Sequence, residues 1–539
     1  MRRPVVEAGR SERAFRTVLE QKIWERRQTF EEFAEFAEVF AREHREPGSV
    51  GVRHLQRLAA GRKPSGEPLS PVRPSTARLL ERIFGVGIDV LLGSVREPIE
   101  VPEIVGGGSS ARADGDLVDA LAWLDRRAGW VPGTGRGKVG ARAGDLGVGG
   151  LLDRNALRSR VGRAQMASAL ADYYGPIRAG YGMYRARCGG QAVVTSVVTR
   201  VEWLDLACAL TADRDSVKFV AEEFVPGAAL GRVGADGAVD RLAESVALGV
   251  RIANLPLYRL LGVEIGDALS GTVGQVPFME YALTMDLLEG ELLDAVAAGR
   301  SALPLRDLYL PSAESVLDLP KRVCAGGVLA LCAIARPGDP FRGGPDYALL
   351  VQVRSGSVLN ASGRLAVIPK AFHQPMSDVR ADARVGATLL RELEEELFGR
   401  SDVDMTIGDV RAAVPMHPGR ASEPMKWLTA EAGRLRVECT GFGLNLVSGN
   451  YEFAGLVVIE DEEFWRRFGG QVEANWEASG LRLYSSLDGE LVEELVEELV
   501  GQEAWSNEGL FALLQGLRRL REIGGGRVEL PAVEVEVGG

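Results

Sequence analysis

Apolar residues recur at helical spacing through residues 11–93. Phe15, Val18, Leu19 and Ile23 line one face of a first helix, and Phe33, Phe36, Ala37 and Phe40 line a second, opened by the capping-box pair Thr29 and Glu32. Pro47-Gly48 ends it. Ser49 is placed to cap a third helix over Val50–Ala60 that turns Val52, Leu55 and Leu58 inward and stops at Gly61. Pro74-Ser75 opens a last helix through Leu79, Leu80, Ile83 and Phe84.

The pattern then loosens. Residues 95–150 read as a flexible linker, glycine-rich at Gly106–Gly108, with one short helix at Asp116–Ala128. Residues 151–310 read as an α+β domain, with helices at Ala164–Tyr174 and Tyr281–Ala298 and a β-branched strand at Ala192–Arg200. Residues 311–539 alternate strands (Val323–Ala335, Tyr347–Arg354, Leu365–Pro369, Asn450–Val458) with helices (Ala387–Phe398, Gly509–Glu522), as a layered α/β domain does. Leu491–Val500 reads as an amphipathic helix with an acidic face.

Composition changes the picture in few places. A length of 539 residues implies roughly three or four domains. The apolar run Val323–Ala335 is too short to span a bilayer, and no apolar stretch follows the N-terminus, so a soluble, cytoplasmic chain without membrane partners is expected. The five cysteines are scattered and form no C-x-x-C pair, which speaks against a disulfide framework or zinc knuckle. Charge is uneven: residues 1–94 hold 17 Lys and Arg against 13 Asp and Glu, and the remainder 46 against 62. A basic head on an acidic body directs any nucleic acid to the head.

The segment Arg391-Glu392-Leu393-Glu394-Glu395-Glu396 concentrates the chemistry. On a helix, Leu389, Leu393 and Leu397 form a buried stripe, and Glu392, Glu395 and Glu396, three and four residues apart, share an adjacent face. Clustered carboxylates suit a hard ion such as Mg²⁺ or Mn²⁺. The segment resembles the second half of the Nudix box. That resemblance implies a Nudix-like α/β/α sandwich and a nucleotide-type small-molecule ligand, with Glu392, Glu395 and Glu396 as metal ligands and Arg391 orienting a glutamate. The first half of the box is absent: its glycine and glutamate positions hold Ser377 and Ala383, Phe398 stands where a glycine is expected, and Pro369-Lys370-Ala371 replaces Pro-Gly-Gly.

The N-terminal helices resemble the Cro/repressor-type helix-turn-helix family, which implies an all-α helix-turn-helix domain over residues 1–94 and duplex DNA as partner. Arg53, His54, Gln56 and Arg57 would read the major groove and Arg62 and Lys63 would hold phosphates. A second helix longer than usual, Pro47 in the turn and Gly51 within the third helix depart from the pattern.

Other candidates carry less. Gly133-Thr134-Gly135-Arg136-Gly137-Lys138 evokes a phosphate loop, but Pro132 and Val139 occupy two of its required positions, so a flexible loop is expected. His373 reads as a loop histidine, and Trp465, Trp476 and Trp505 as core. The expected function is a homodimeric DNA-binding transcriptional regulator that senses a nucleotide-type ligand. The alternatives are a Mg²⁺-dependent Nudix hydrolase of nucleoside-diphosphate compounds with an accessory helical domain, and a non-catalytic assembly protein.

Overall fold

The computed structural model describes residues 16–25, 29–43, 50–61, 72–84, 88–92, 110–222, 224, 229–249, 254–340, 343–354, 363–376, 378–398, 421–469, 472, 478–487 and 503–538. The chain divides into two compact units, 1–105 and 106–539.

The first unit holds helices α1 (Val18–Glu25), α2 (Phe30–Glu43), α3 (Val52–Ala59), α4 (Pro74–Phe84) and α5 (Ile88–Leu92). The apolar stripes of the pattern meet in one core of Leu19, Ile23, Phe33, Ala37, Leu55, Leu58, Leu79 and Leu80, with Phe33 stacked on Phe84 at 5.1 Å. Thr17 Oγ1 donates to the carbonyl of Ala59 at 2.9 Å and ties the chain ahead of α1 to the end of α3. α3 starts later than the pattern predicts. Its N-cap is Gly51, in extended conformation without a side-chain cap, and Val50 is drawn into the core instead of the helix. The five-residue α5, which buries Leu91, is too short to leave a periodic signal.

The second unit opens with α6 (Ser110–Ala128), α7 (Thr134–Asp145), α8 (Val148–Arg158) and α9 (Arg163–Tyr174). Residues 110–150, expected to be a flexible linker with one short helix, are thus largely helical. The Gly133–Lys138 segment enters α7 instead of forming a loop, because Asp125 holds the start of the helix: its carboxylate oxygens accept the N–H groups of Gly133 and Gly135, each at 2.6 Å. A charge inside the protein therefore fills the place a phosphate would take.

Strands β1 (Gly182–Cys188), β2 (Gln191–Thr199), β3 (Cys208–Ala209) and β4 (Asp215–Phe219) follow, then α10 (Gly231–Leu248), β5 (Pro256–Ile265) and β6 (Leu269–Pro277). The predicted helix over Tyr281–Ala298 is broken into α11 (Phe278–Ala282) and α12 (Leu287–Ala297), with turns between. Two short helices, α13 (Pro304–Tyr309) and α14 (Ala313–Leu317), lead to β7 (Gly326–Arg336), β8 (Asp346–Arg354), β9 (Leu365–Val367) and β10 (Lys370–Phe372). The remainder is α15 (Val385–Leu397), α16 (Glu423–Ala430), β11 (Leu435–Asn445), β12 (Tyr451–Ile459), α17 (Glu462–Phe468), β13 (Ala478–Ser485), α18 (Asn507–Ile523) and β14 (Val533–Gly538). Leu491–Val500 and Trp476 lie outside the described residues.

The main sheet runs β13-β8-β7-β12-β11-β2-β1-β14, with β9 beside β8, β10 beside β7 and β3 beside β11; β4-β6-β5 forms a second sheet. Strands from residues 151–310 and 311–539 thus share one sheet, and the two blocks fold together. β7 is buried along its whole length and runs parallel to β12, which explains its unbroken apolar run. Leu329, Leu331 and Ala333 face Leu510, Phe511, Leu514 and Leu517 of α18. Val328, Ala330 and Cys332 face the opposite core, which includes Leu389, Leu393 and Leu397 of α15. Burying each of those leucines stabilises the fold by roughly 1.5–3 kcal/mol. The result is a helix–sheet–helix sandwich in a multidomain α+β chain.

Candidate functional site

The acidic helix α15 begins where residues from the preceding block hold it. Asp215, at the start of β4, accepts the N–H of Gly386 through Oδ2 at 2.7 Å. A Cβ on Gly386 would come within 2.6 Å of the Leu210 carbonyl, so only glycine lets the helix approach this closely. Burial pushes the Asp215 carboxyl up to about 6, against the lowering effect of the amides of Gly386, Val217 and Val385.

The helix buries its charges as well as its leucines. Arg391 and Glu392, Glu394, Glu395 and Glu396 are all buried. Arg391 donates through Nε and Nη2 to Glu392 Oε1 at 3.2 and 3.0 Å. Glu394 accepts from the amide and hydroxyl of Ser422, both at 2.6 Å. Glu396 Oε2 accepts the backbone N–H of Lys370 at 2.8 Å. Of the three carboxylates expected to hold one ion, Glu392 and Glu396 bond to different neighbours. Among the described residues, no group of three or more His, Cys, Asp or Glu side chains is placed to hold a metal ion.

A second polar cluster lies beside the first, and sequence reasoning missed it. After β9 pairs with β8, the chain shifts across to pair β10 with β7, which sets Lys370 opposite Leu329. Lys370 Nζ then reaches Glu508 Oε1 at 2.6 Å, in the first turn of α18. Glu508 Oε2 accepts from Asn445 Nδ2 at 3.1 Å, and Asn445 Oδ1 accepts from Ser196 Oγ at 3.0 Å. Glu452 on β12 lies opposite Gly327 of β7 and bonds to Asn445. A Cβ on Gly327 would sit 2.4 Å from the carbonyl oxygen of Ala371, so glycine makes room for β10. Burial, reinforced by Glu508, pushes the Glu452 carboxyl up to about 8, so it is mostly protonated at neutral pH. Burial is the largest influence on Glu508 and opposes its charge, but the Lys370 ammonium together with hydrogen bonds from Lys370, its own amide and Ser506 holds that carboxyl below its ordinary range. A sequence signal did exist: Glu452 is a single charge within an otherwise apolar strand, and such a charge needs a partner.

His373 lies in a loop just after β10, as expected, and is fully buried there. Its Nδ1 lies 3.0 Å from the Tyr451 hydroxyl, and its ring packs on Tyr258 at 4.5 Å. Burial, then the nearby Arg391 charge, lowers its pKa to about 3, so the ring is neutral. Trp505 is core as expected, and Trp465 is packed against the core with Arg336 over its ring. All five cysteines are buried free thiols.

Elsewhere in the unit, a cavity of about 240 Å³ is lined by residues that include Arg154, Arg158, Arg241, Glu244, Asp286 and Asp294. Its ion pairs, Arg154–Glu244 at 2.5 Å, Arg158–Asp294 at 2.6 Å and Arg241–Asp286, cross-brace α8, α10 and α12.

In the first unit, α3 turns Leu55, Leu58 and Ala59 inward and leaves Arg53, Gln56 and Arg57 exposed, with His54 half-buried. Partial burial, then Arg57 and Arg73, lowers the His54 pKa. Arg62 and Lys63 lie outside the described residues.

No family model matches the chain, and no curated protein does. Among solved structures, the crystal structure of a NUDIX hydrolase from Alicyclobacillus acidocaldarius is similar at 13% identity, over 40% of this chain and 98% of that one. The TM-score is 0.22. No described helix is long and apolar enough to cross a membrane.

Proposed function

We propose that the chain is a DNA-binding transcriptional regulator, in which the first unit holds duplex DNA and a Nudix-like sandwich in the second senses a nucleotide-type ligand. The observation that supports this reading is α3, whose apolar side is locked in the core while Arg53, Gln56 and Arg57 face solvent. Guanidinium groups suit guanine edges and phosphates, and an amide suits adenine. Arg62 and Lys63 add phosphate contacts in this reading. The regulator acts as a homodimer, and the ligand shifts DNA affinity by binding two states of the protein unequally.

Fluorescence anisotropy on duplex fragments from the region upstream of its own coding sequence tests the proposal. Binding should weaken steeply with salt, and Arg53→Ala with Arg57→Ala should weaken it by about 10- to 100-fold. Binding that is absent, or unchanged in that variant, removes the regulator reading.

The hydrolase reading keeps one supporting observation, the Arg391–Glu392 pair on a helix packed over the sheet. In it Glu392, Glu395 and Glu396 would hold Mg²⁺ or Mn²⁺. The sensor reading is preferred because the first half of the box is missing, with Ser377 and Ala383 at its glycine and glutamate positions. Metal-dependent turnover of nucleoside-diphosphate compounds that is lost in Glu395→Gln would reverse that preference.

A further inference from the structure

Two of the five cysteines stand opposite each other in the main sheet. β3 pairs with β11 so that Cys208 is the register partner of Cys439, and Ala209 that of Glu438. Side chains of partner residues in an antiparallel pair leave the sheet on the same side. Cys208 and Cys439 accordingly enter one core, at 0% and 1% exposure. Both are free thiols. Burial, then the neighbouring Cys208, raises the pKa of the Cys439 thiol, so the two sulfurs lie within electrostatic reach of each other. Facing residues of an antiparallel pair hold their Cα atoms about 4.5–5.5 Å apart, within the roughly 4.4–6.8 Å that a disulfide spans. The other cysteines are placed differently: Cys188 stands opposite Gln191, Cys332 opposite Leu350, and Cys324 precedes β7.

β3 is also a place where the sheet can open. It is two residues long, and among the described strands it pairs only with β11. On either side of it, the Leu206 N–H donates to the Thr440 carbonyl at 3.1 Å and the Leu210 N–H to the Val437 carbonyl at 2.9 Å. Ala207 and residues 211–214 are exposed. Short segments with exposed flanks open at a low local free energy. We propose that Cys208 and Cys439 are a redox modification site, at which a low-molecular-weight disulfide oxidises the two thiols to a cross-strand disulfide between β3 and β11. Cys208, on the segment that opens, loses its proton and attacks one sulfur of the reagent. A mixed disulfide forms, and one reagent thiol leaves with that proton. Cys439 then loses its proton and attacks the Cys208 sulfur, and the second reagent thiol leaves with it. Two protein thiols are oxidised and one reagent disulfide is reduced to two thiols. Burial, then Asp215, pushes the Cys208 thiol up to about 11 while Arg214 opposes them, so opening β3 also frees the attacking sulfur from its main restraint.

The bond would reach the acidic helix. The Leu210 carbonyl lies 2.6 Å from where a Cβ of Gly386 would stand, and Asp215 Oδ2 accepts the Gly386 N–H. Tying β3 to β11 therefore fixes the segment that receives the start of α15. The inference is independent of the DNA and nucleotide readings.

The test treats the full chain with glutathione disulfide and reads intact mass, peptide maps and urea unfolding. Folded protein is expected to lose two hydrogens, to yield a cross-link between the peptides carrying Cys208 and Cys439, and to regain its starting mass in dithiothreitol. Closing so long a loop should raise the folding equilibrium constant about 30- to 1000-fold. Hydrogen exchange at the Gly386 amide should slow in parallel. Cys208→Ala and Cys439→Ala should each abolish the cross-link and both of its effects. Cys188→Ala, Cys324→Ala and Cys332→Ala combined should keep them; if that variant does not fold, the peptide map of the wild-type protein makes the same assignment. A cross-link absent from the folded protein, or formed only at urea concentrations that unfold the chain, overturns the proposal. So does a glutathione adduct that persists on Cys208, because Cys439 is then out of reach. A cross-link that leaves exchange at Gly386 unchanged overturns the connection to α15.

Discussion

α3 and α15 are both amphipathic helices with charges flanking an apolar stripe, yet α3 exposes Arg53, Gln56 and Arg57, whereas α15 buries Arg391 and four glutamates. The difference separates two uses of charge. An exposed guanidinium loses little by waiting in water and is available to a partner. A buried carboxylate has lost its hydration and must be answered within the fold. Charge on α3 should therefore matter to binding, and charge on α15 to folding.

The strongest way to break this contrast is to delete one charge from each helix. Glu394→Ala would strand the amide and hydroxyl of Ser422, which now donate to its two oxygens. A loss of roughly 2–4 kcal/mol in urea unfolding is expected. Arg53→Ala should change stability by no more than about 0.5 kcal/mol. Similar losses at both sites would show that α15 is no more structural than α3.

A second effect is read by pH, from two buried groups of the second unit. Glu452 keeps its proton up to about pH 8 in the folded chain but only to its ordinary value of 4.5 when unfolded. Its contribution is therefore full below pH 4.5 and is lost as pH rises through 8. His373 is neutral down to about pH 3 when folded and to 6.5 when unfolded, so its contribution is full above 6.5 and lost as pH falls toward 3. Between 4.5 and 6.5 the two oppose each other, and outside that window each acts alone, with a slope of up to roughly 1.4 kcal/mol per pH unit. Glu452→Gln should flatten the alkaline side of the stability profile of the second unit and leave the acidic side intact. A profile unchanged by the substitution would remove the buried proton from the account.

The sequence pattern located most elements whose apolar residues repeat over several turns or a whole strand. α2, α4, α9, α15 and α18, and strands β2, β7, β8 and β12, lie within a few residues of where periodicity puts them. What failed were features decided by one distant contact. α7 looked like a loop because its glycines lower helix propensity, and the Asp125 carboxylate that holds its start is eight residues away from Gly133 in a preceding helix. The carboxylate positions of α15 were legible, but their partners were not. Ser422 is 28 residues from Glu394, and Lys370 is 138 residues from Glu508. Helical spacing tells which side chains share a face; it says nothing of what the face meets.

The smallest expected effect concerns the contact that starts α15. Asp215 belongs to β4, outside the block in which the box-like segment was found, and its Oδ2 accepts the Gly386 N–H while Oδ1 has no hydrogen-bond partner. Asp215→Ala removes the acceptor and should cost about 1 kcal/mol, as loss of a helix cap does. Asp215→Asn keeps an acceptor oxygen and discards the buried charge. Because the folded carboxyl is raised to about 6 from 3.8, the contribution of the aspartate is full below pH 3.8 and lost as pH rises through 6. The asparagine variant should therefore match wild type in acid, gain on it as the pH rises from 3.8 to 6, and keep that gain above 6. Urea midpoints of the three proteins at pH 4 and pH 7 measure both effects. If alanine and asparagine behave alike at both pH values, the residue acts through packing alone, and α15 owes its start to Gly386 and not to a charge supplied from the other block.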